Sequence, residues 1–401
     1  MTDSVDTVAL THPRDGLPAV IESSEALQTA CATLEAGSGP IAVDAERASG
    51  FRYSNRAYLI QVRREGAGTF LIDPLAVGDM HCLASAMSDT EWILHAATQD
   101  IACLVDIGLE PHSLFDTELA GRLLGRPRVG LGALLESDLG VSLAKEHSAA
   151  DWSTRPLPEP WLVYAALDVE LLIELRQLQK AELEARERWH WAEQEFAHLA
   201  RWRPAENRLE PWRRTSGIHK VRKPDQLAIV RELWEERDRI AQEKDKACGR
   251  VLPDAAIIDI VKTDVKTARD IYRLDSLRNR GHKALADTWF QARQRALAST
   301  ELPSTSPKTS ALPPPKAWPE KNPDAAARWD VIRPAINALA ETHEIAPELI
   351  MSPELVRRLC WDGGSRLSNR DELQQWLTEQ SSRPWQIDLV CEPVLSAAAS
   401  M

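Results

Sequence analysis

The chain has 401 residues, 44% of them apolar, and a formal net charge of −12; that length requires two or three domains rather than one core. No apolar run approaches the roughly 20 residues needed to span a bilayer, and Asp3 and Asp6 stand where a signal peptide carries cations, so a cytoplasmic protein without a membrane partner is expected. The negative charge argues against avid, indiscriminate binding to polyanions, but leaves room for an enzyme with a local basic surface and its own metal cations.

In chain order, Ile41–Asp44 is a short apolar strand after the turn-like Gly37-Ser38-Gly39-Pro40. Ala57–Val62 and Thr69–Ile72 read as a β-hairpin closed by the polar loop from Arg63 to Gly68. Trp92–His95 is a further strand, and helical patterns fall at Ser24–Leu34, Met80–Met87, Ile101–Ile107 and Thr117–Leu124. Strands mixed with helices imply a central sheet with helices packed on it. From Pro160 the pattern turns helical and continues to about Leu199.

A second, wholly helical region follows Pro211. Its basic start holds Arg213, Arg214, His219, Lys220, Arg222 and Lys223, and helices are predicted over Asp225–Lys246, Asp254–Val261, Val265–Arg269 and His282–Leu297. Pro253-Asp254 suits a helix start, where backbone N–H groups lack helical partners. Glu301–Glu320, with Pro303, Pro307 and Pro313 to Pro315 among Ser, Thr and Ala, reads as an extended linker. Beyond it, Trp329–Leu339, Pro353–Leu359 and Asp371–Leu377 form a smaller helical region, and Cys391–Met401 is expected to be a loose tail. The division expected is 1–205, 212–298, a linker at 299–322, and 323–395. The six cysteines, Cys31, Cys82, Cys103, Cys248, Cys360 and Cys391, form no Cys-x-x-Cys pair, which removes zinc ribbons and redox motifs and leaves small buried hydrophobes.

Two pairs of residues carry the chemistry. Asp44 and Glu46, two apart at a strand end, share one face of the strand while Val43 and Ala45 take the other. Adjacent carboxylates repel unless a proton or cation relieves them, and Mg²⁺ or Mn²⁺ accepts such oxygen ligands. Tyr164 and Asp168, four apart, share one helix face, with the small Ala165 and Ala166 between them. Asp100 follows the strand ending at His95 and reads on its own as a helix start. Each feature is ordinary alone; their conjunction is not.

Together, Asp44-x-Glu46, Asp100 and Tyr164-x-x-x-Asp168 resemble the tyrosine-bearing subgroup of DEDD exonucleases. Val43 to Glu46, Leu59-Ile60-Gln61, Leu94-His95-Ala96, Phe115-Asp116-Thr117, Asp151-Trp152-Ser153, Arg155-Pro156-Leu157 and Tyr164 to Val169 narrow the resemblance to the ribonuclease D family over roughly 19–195. Lys220–Leu297 is similar to the HRDC domain that follows the nuclease there, with a looser likeness after the linker. The resemblance implies an α/β plus all-α chain: a ribonuclease H-like mixed-sheet exonuclease domain followed by two small helical HRDC-like domains. It further implies a 3′→5′ exoribonuclease with two divalent ions, Mg²⁺ or Mn²⁺, on Asp44, Glu46, Asp100 and Asp168, with Tyr164 orienting water. The expected substrate is RNA with a free 3′ end, such as a transfer-RNA precursor. His95, Asp116, Arg155 and Gln61 are expected to position neighbours or substrate, with His95 a buried hydrogen-bonded histidine rather than a metal ligand. Arg213, Arg214, Lys220, Arg222 and Lys223, and a second patch of Arg278, Arg280, His282 and Lys283, are candidate phosphate contacts, with Trp152, Trp212 and Trp234 as candidate base-stacking rings. Many relatives have Asp-Thr-Glu-Phe where this chain has Asp44-Ala45-Glu46-Arg47, so Arg47 either faces a phosphate or projects into solvent. The acids do not distinguish ribose from deoxyribose: a 3′→5′ DNA exonuclease is the alternative, and a noncatalytic RNA-binding protein with a retained nuclease fold is a third reading.

Overall fold

The computed structural model describes residues 7–143, 150–204, 209–277, 279–305 and 312–401. Six strands form the main sheet: β2 (Val20–Ile21), β3 (Ser38–Arg47), β4 (Ala57–Glu65), β5 (Gly68–Ile72), β6 (Trp92–Leu94) and β7 (Leu114–Asp116), in spatial order β2-β5-β4-β3-β6-β7. A two-stranded parallel pair joins β1 (Val8–Leu10) to β8 (Val141–Leu143). In the main sheet β3, β4 and β5 are antiparallel neighbours, whereas β6 and β7 run parallel to β3. The sheet is therefore mixed, as expected. The hairpin is longer than the sequence suggests: Arg63 pairs with Thr69 and Arg64 with Gly68, so only Gly66-Ala67 turns, and the polar stretch expected as a loop is mostly strand. Ser38 to Pro40, read as a turn, belong to β3.

The long helix expected from Pro160 is three helices, Glu159–Glu170, Leu172–Ala185 and Trp189–Ala200. Ala165 and Ala166 are fully buried in the first, and these small side chains let that helix lie close on the sheet. It is fixed from behind by charge: Arg14 Nε donates to Glu170 at 2.7 Å and Arg63 lies 3.4 Å from the same fully buried carboxylate.

The middle region has a separate apolar core built on Leu233, Ile257, Ile260 and Trp289. It clips onto the sheet domain through polar contacts with the loop after β3. Ala247 donates to the Phe51 carbonyl, Arg250 Nε to the Gly50 carbonyl at 2.7 Å, and Asp245 accepts from the Tyr53 and Ser54 amides.

The last region behaves differently, because its core is continuous with that of the sheet domain. Phe115 of β7 packs on Phe196 and Trp189, and Trp191 stacks on Trp385 with ring centres 4.7 Å apart. Arg383 and the Trp385 indole both donate to the buried Glu195. Gly125 (φ +74°) is held against the Glu344 carbonyl, where a Cβ would collide with the oxygen. The expected loose tail is part of the helix Pro384–Ala399, with Cys391 and Val394 fully buried. The proline-rich linker is only partly extended: Pro315–Ala317 and Trp318–Lys321 are helical turns, and Trp318 is fully buried. In both helical regions a 20-residue helix, Pro224–Glu243 or Pro323–Thr342, leads through a one-turn helix, Cys248–Val251 or Pro347–Ile350, to a third, Asp254–Lys262 or Pro353–Asp362.

Candidate active site

Strand alternation works as expected at the end of β3: Val43 and Ala45 are buried in the core, while Asp44 and Glu46 line a 240 Å³ cavity with Asp100, Tyr164 and Asp168. Asp44, Glu46 and Asp168 each offer an oxygen within 4.8 Å of the others. That is a set of hard oxygen donors suited to a divalent ion such as Mg²⁺ or Mn²⁺. Asp100 lies outside this closest group and lines the same cavity. Gln61 sits opposite Asp44 across the β3–β4 ladder. It is fully buried, and neither side-chain amide atom has a partner. An orphaned buried amide beside a carboxylate fits a site whose polar groups are completed by a ligand.

Burial raises all four acids, and Asp44 raises the other three further. Burial pushes Asp44 up, against the Ala45 amide and Arg47. Burial, then the charges of Asp44, Asp168 and Asp100, push Glu46 up to about 10. Asp100 and Asp168 are raised well above the usual carboxylate range, by burial first and by Asp44 next. Tyr164 is raised by burial and by Asp168, Glu46 and Asp44, so its phenol stays protonated. These shifts fix a sign. The metal-free folded protein keeps protons that the unfolded chain releases near the ordinary carboxylate pKa, so above that pKa, and up to about 10 for Glu46, its stability falls as pH rises. The melting temperature of EDTA-treated protein is expected to drop from pH 5 to pH 9, and the gain on adding Mn²⁺ to grow over the same range. A flat profile in both conditions excludes charge repulsion as the dominant feature of the site.

The neighbouring residues divide by role. His95 lines the cavity with Nδ1 2.9 Å from the Thr117 hydroxyl, and burial lowers its pKa to about 4, so it is a neutral, hydrogen-bonded histidine. Asp116 lies outside the cavity lining: its carboxylate accepts from the Ala96 and Ala97 amides and caps the helix Thr117–Leu123 through Glu118 and Leu119. It thereby holds the left-handed turn at Ala96 that leads to Asp100. Arg155 is a staple, donating to Asp73 at 2.6 Å and to the Tyr58, Trp152 and Thr154 carbonyls.

The expected RNA contacts are mixed. Arg214, Lys220, Arg222, Lys223 and Arg280 are exposed. Arg213 is committed to Glu210 and the Trp212 ring, Lys283 lies over Tyr272, and His282 is buried against the Arg250 carbonyl. Arg278 lies outside the described residues. Trp152 and Trp212 are buried, so neither ring is open to a base. Trp234 packs against the middle core. Trp152 packs beside Tyr164, ring centres 6.5 Å apart, a contact between residues too far apart on the approach to the helix to be read from local spacing.

A 3′-5′ exonuclease family model matches residues 18–184, an HRDC domain model 226–292, and a 3′ to 5′ exonuclease C-terminal domain model 311–398. Ribonuclease D of Sphingobium indicum is 30% identical over 387 residues, covering 92% of this chain and 94% of that one. The chain belongs to the ribonuclease D family. By that membership it is a 3′→5′ exonuclease, with a mixed-sheet catalytic domain followed by helical regions that include an HRDC domain. Ribonuclease D of Escherichia coli is 29% identical over 346 residues, 85% of this chain and 89% of that one. A crystal structure of a protein from Bifidobacterium adolescentis superposes with a TM-score of 0.89 at 38% identity, covering 98% of this chain and all of that one. The crystal structure of E. coli RNase D, described as an exoribonuclease involved in structured RNA processing, gives 0.66 at 25% identity over 95% of this chain and 98% of that one. Among the described residues no helix is long and apolar enough to cross a membrane.

Proposed function

We propose that the protein trims structured RNA, such as transfer-RNA precursors, from a free 3′-hydroxyl end in the cytoplasm, releasing nucleoside 5′-monophosphates one at a time. The reading is carried by one observation: three carboxylates gathered within 4.8 Å in a cavity that also holds Asp100 and Tyr164, in a chain of the ribonuclease D family. Two divalent ions, Mg²⁺ or Mn²⁺, would lower the pKa of the attacking water and offset charge on the entering and leaving oxygens of an in-line displacement.

Asp44, Glu46 and Asp168 would hold the ion that lowers the pKa of the attacking water, and Asp100, with Asp44, would hold the ion that offsets charge on the departing 3′-oxygen. Water, releasing a proton to solvent, forms the new P–O bond as the bond to the 3′-oxygen breaks, and that oxygen takes up a proton from solvent. Tyr164, kept protonated by burial and three acids, orients the water by a hydrogen bond and does not act as its base. Gln61 lies opposite Asp44 on the facing strand, and Asp116 and Arg155 fix the backbone around the site. Exposed Arg214, Lys220, Arg222, Lys223 and Arg280 meet the phosphates of the RNA body.

The decisive experiment offers purified protein matched 3′-hydroxyl RNA and DNA with Mg²⁺, Mn²⁺ or EDTA and resolves the products by size. The expected result is stepwise shortening of RNA that EDTA stops. Faster shortening of DNA would establish a DNA exonuclease instead, and RNA binding without shortening would leave a noncatalytic binder.

A further inference from the structure

Of the Phe, Trp and Tyr side chains, only those of Tyr53 and Tyr272 are exposed. Tyr53 is committed to the middle region, its hydroxyl donating to the Asp238 carboxylate at 3.2 Å. Tyr272 is 50% exposed. With Trp152 and Trp212 buried and Trp234 packed on the middle core, it is the ring left open to a base.

Tyr272 ends the helix Ala268–Tyr272, whose Ile271 is fully buried. The next helix, Arg280–Lys283, is anchored by Asn279, which accepts from the His282 amide, and by His282, buried against the Arg250 carbonyl. These anchors fix both short helices to the middle core and leave their outward side chains free. Lys283 Nζ lies 5.1 Å from the centre of the Tyr272 ring and so joins the two. Arg269 stands three residues before Tyr272 on the same helix, which puts the two on one face. Arg269, Arg273 and Arg280 are exposed, and none has an ion-pair partner among the described residues. Between Lys262 and Lys283 the sequence holds seven Lys or Arg against three Asp, in a chain of net charge −12. Two of those acids are occupied: Asp270 closes the capping box of Thr267, and Asp264 lies 3.3 Å from Lys266. An open ring among unpaired cations, on an acidic protein, suits a polyanion that carries aromatic faces of its own.

Resting on the RNA reading above, we propose that Tyr272 is a stacking platform for one unpaired base of the RNA body, with Arg269, Arg273 and Arg280 on the adjoining phosphates. A base offers its face only where it is unpaired, because a duplex closes both faces within the stack. The site therefore selects a loop, bulge or single-stranded extension, and meets paired RNA through the charge of the arginines alone. Stacking tolerates any base, since each has a π-face, so the platform reads strandedness and not sequence.

The test uses the full chain in EDTA, so that RNA is bound without being shortened, and compares Tyr272→Ala, Tyr272→Phe and Arg273→Gln with the parent. The probes are a hairpin RNA with a long single-stranded 3′ extension and a blunt RNA duplex, each followed by fluorescence anisotropy. Tyr272→Ala is expected to bind the extended hairpin roughly tenfold more weakly, to bind the duplex as the parent does, and to melt with the parent. Tyr272→Phe, which keeps the ring, should stay close to the parent. Against salt, binding should fall with the parent's slope in Tyr272→Ala and with a slope smaller by about one in Arg273→Gln. Unchanged affinity of Tyr272→Ala for the extended hairpin overturns the proposal, as does an equal loss on the duplex or in Tyr272→Phe. A parent chain that binds neither RNA removes the RNA reading itself, an outcome distinct from RNA binding that ignores Tyr272.

Discussion

Asp44→Asn is expected to give a folded protein that no longer shortens RNA. Asparagine keeps the shape of the side chain opposite Gln61 but removes the charge assigned to both ion sites. The loss should be on the order of 10³-fold or more, exceeding the removal of a single electrostatic donor from an active site. Stability should move the other way. Asp44 raises Glu46, Asp100 and Asp168, so its neutral replacement relieves all three, and the metal-free variant should melt at or above the parent. RNA-shortening rates and melting curves on one preparation separate this from misfolding. Undiminished shortening would sink the assignment of the site.

The second large effect concerns the fused core. Trp385 is 2% exposed, stacks on Trp191 and donates its indole N–H to the buried Glu195 at 2.8 Å. Trp385→Ala removes the stack and leaves that carboxylate with fewer partners, a loss of about 3–5 kcal/mol. Because Trp191 belongs to a helix packed on β7, the catalytic domain should lose resistance to heat and protease together with the C-terminal region. Trp289→Ala is the control: that ring is fully buried in the separate middle core, so its loss should expose the middle region to protease and spare shortening of a brief RNA. A catalytic domain that melts unchanged in Trp385→Ala would show the two regions to be independent.

The acids that line the cavity were legible because their placement is local. Two-residue alternation puts Asp44 beside Glu46, a helical turn puts Tyr164 beside Asp168, and the family pattern adds Asp100. The place of Arg47 in the cavity lining was not legible: Glu46 pairs with Leu59 but Arg47 with Ala57, a break in register that depends on the partner strand. Asp116 and Arg155 were picked out near the site. Their work, holding the backbone at Ala96–Ala97 and at Tyr58 and Trp152, needs contacts across the chain. The same reason hid the C-terminal helix. Its alanine-rich end has the composition of a loose tail, and Cys391 and Val394 become core only through neighbours brought by folding.

The fused core also sets an order of events during synthesis. The Glu195–Trp385 contact joins residues 190 apart. At about 5–20 residues per second, the ribosome therefore delivers the covering helix roughly 10–40 seconds after the surface it covers. Through that interval the nascent catalytic domain carries the bare indole of Trp191, a face open to chaperones and to self-association. The middle domain, with a core of its own, can close while the chain waits.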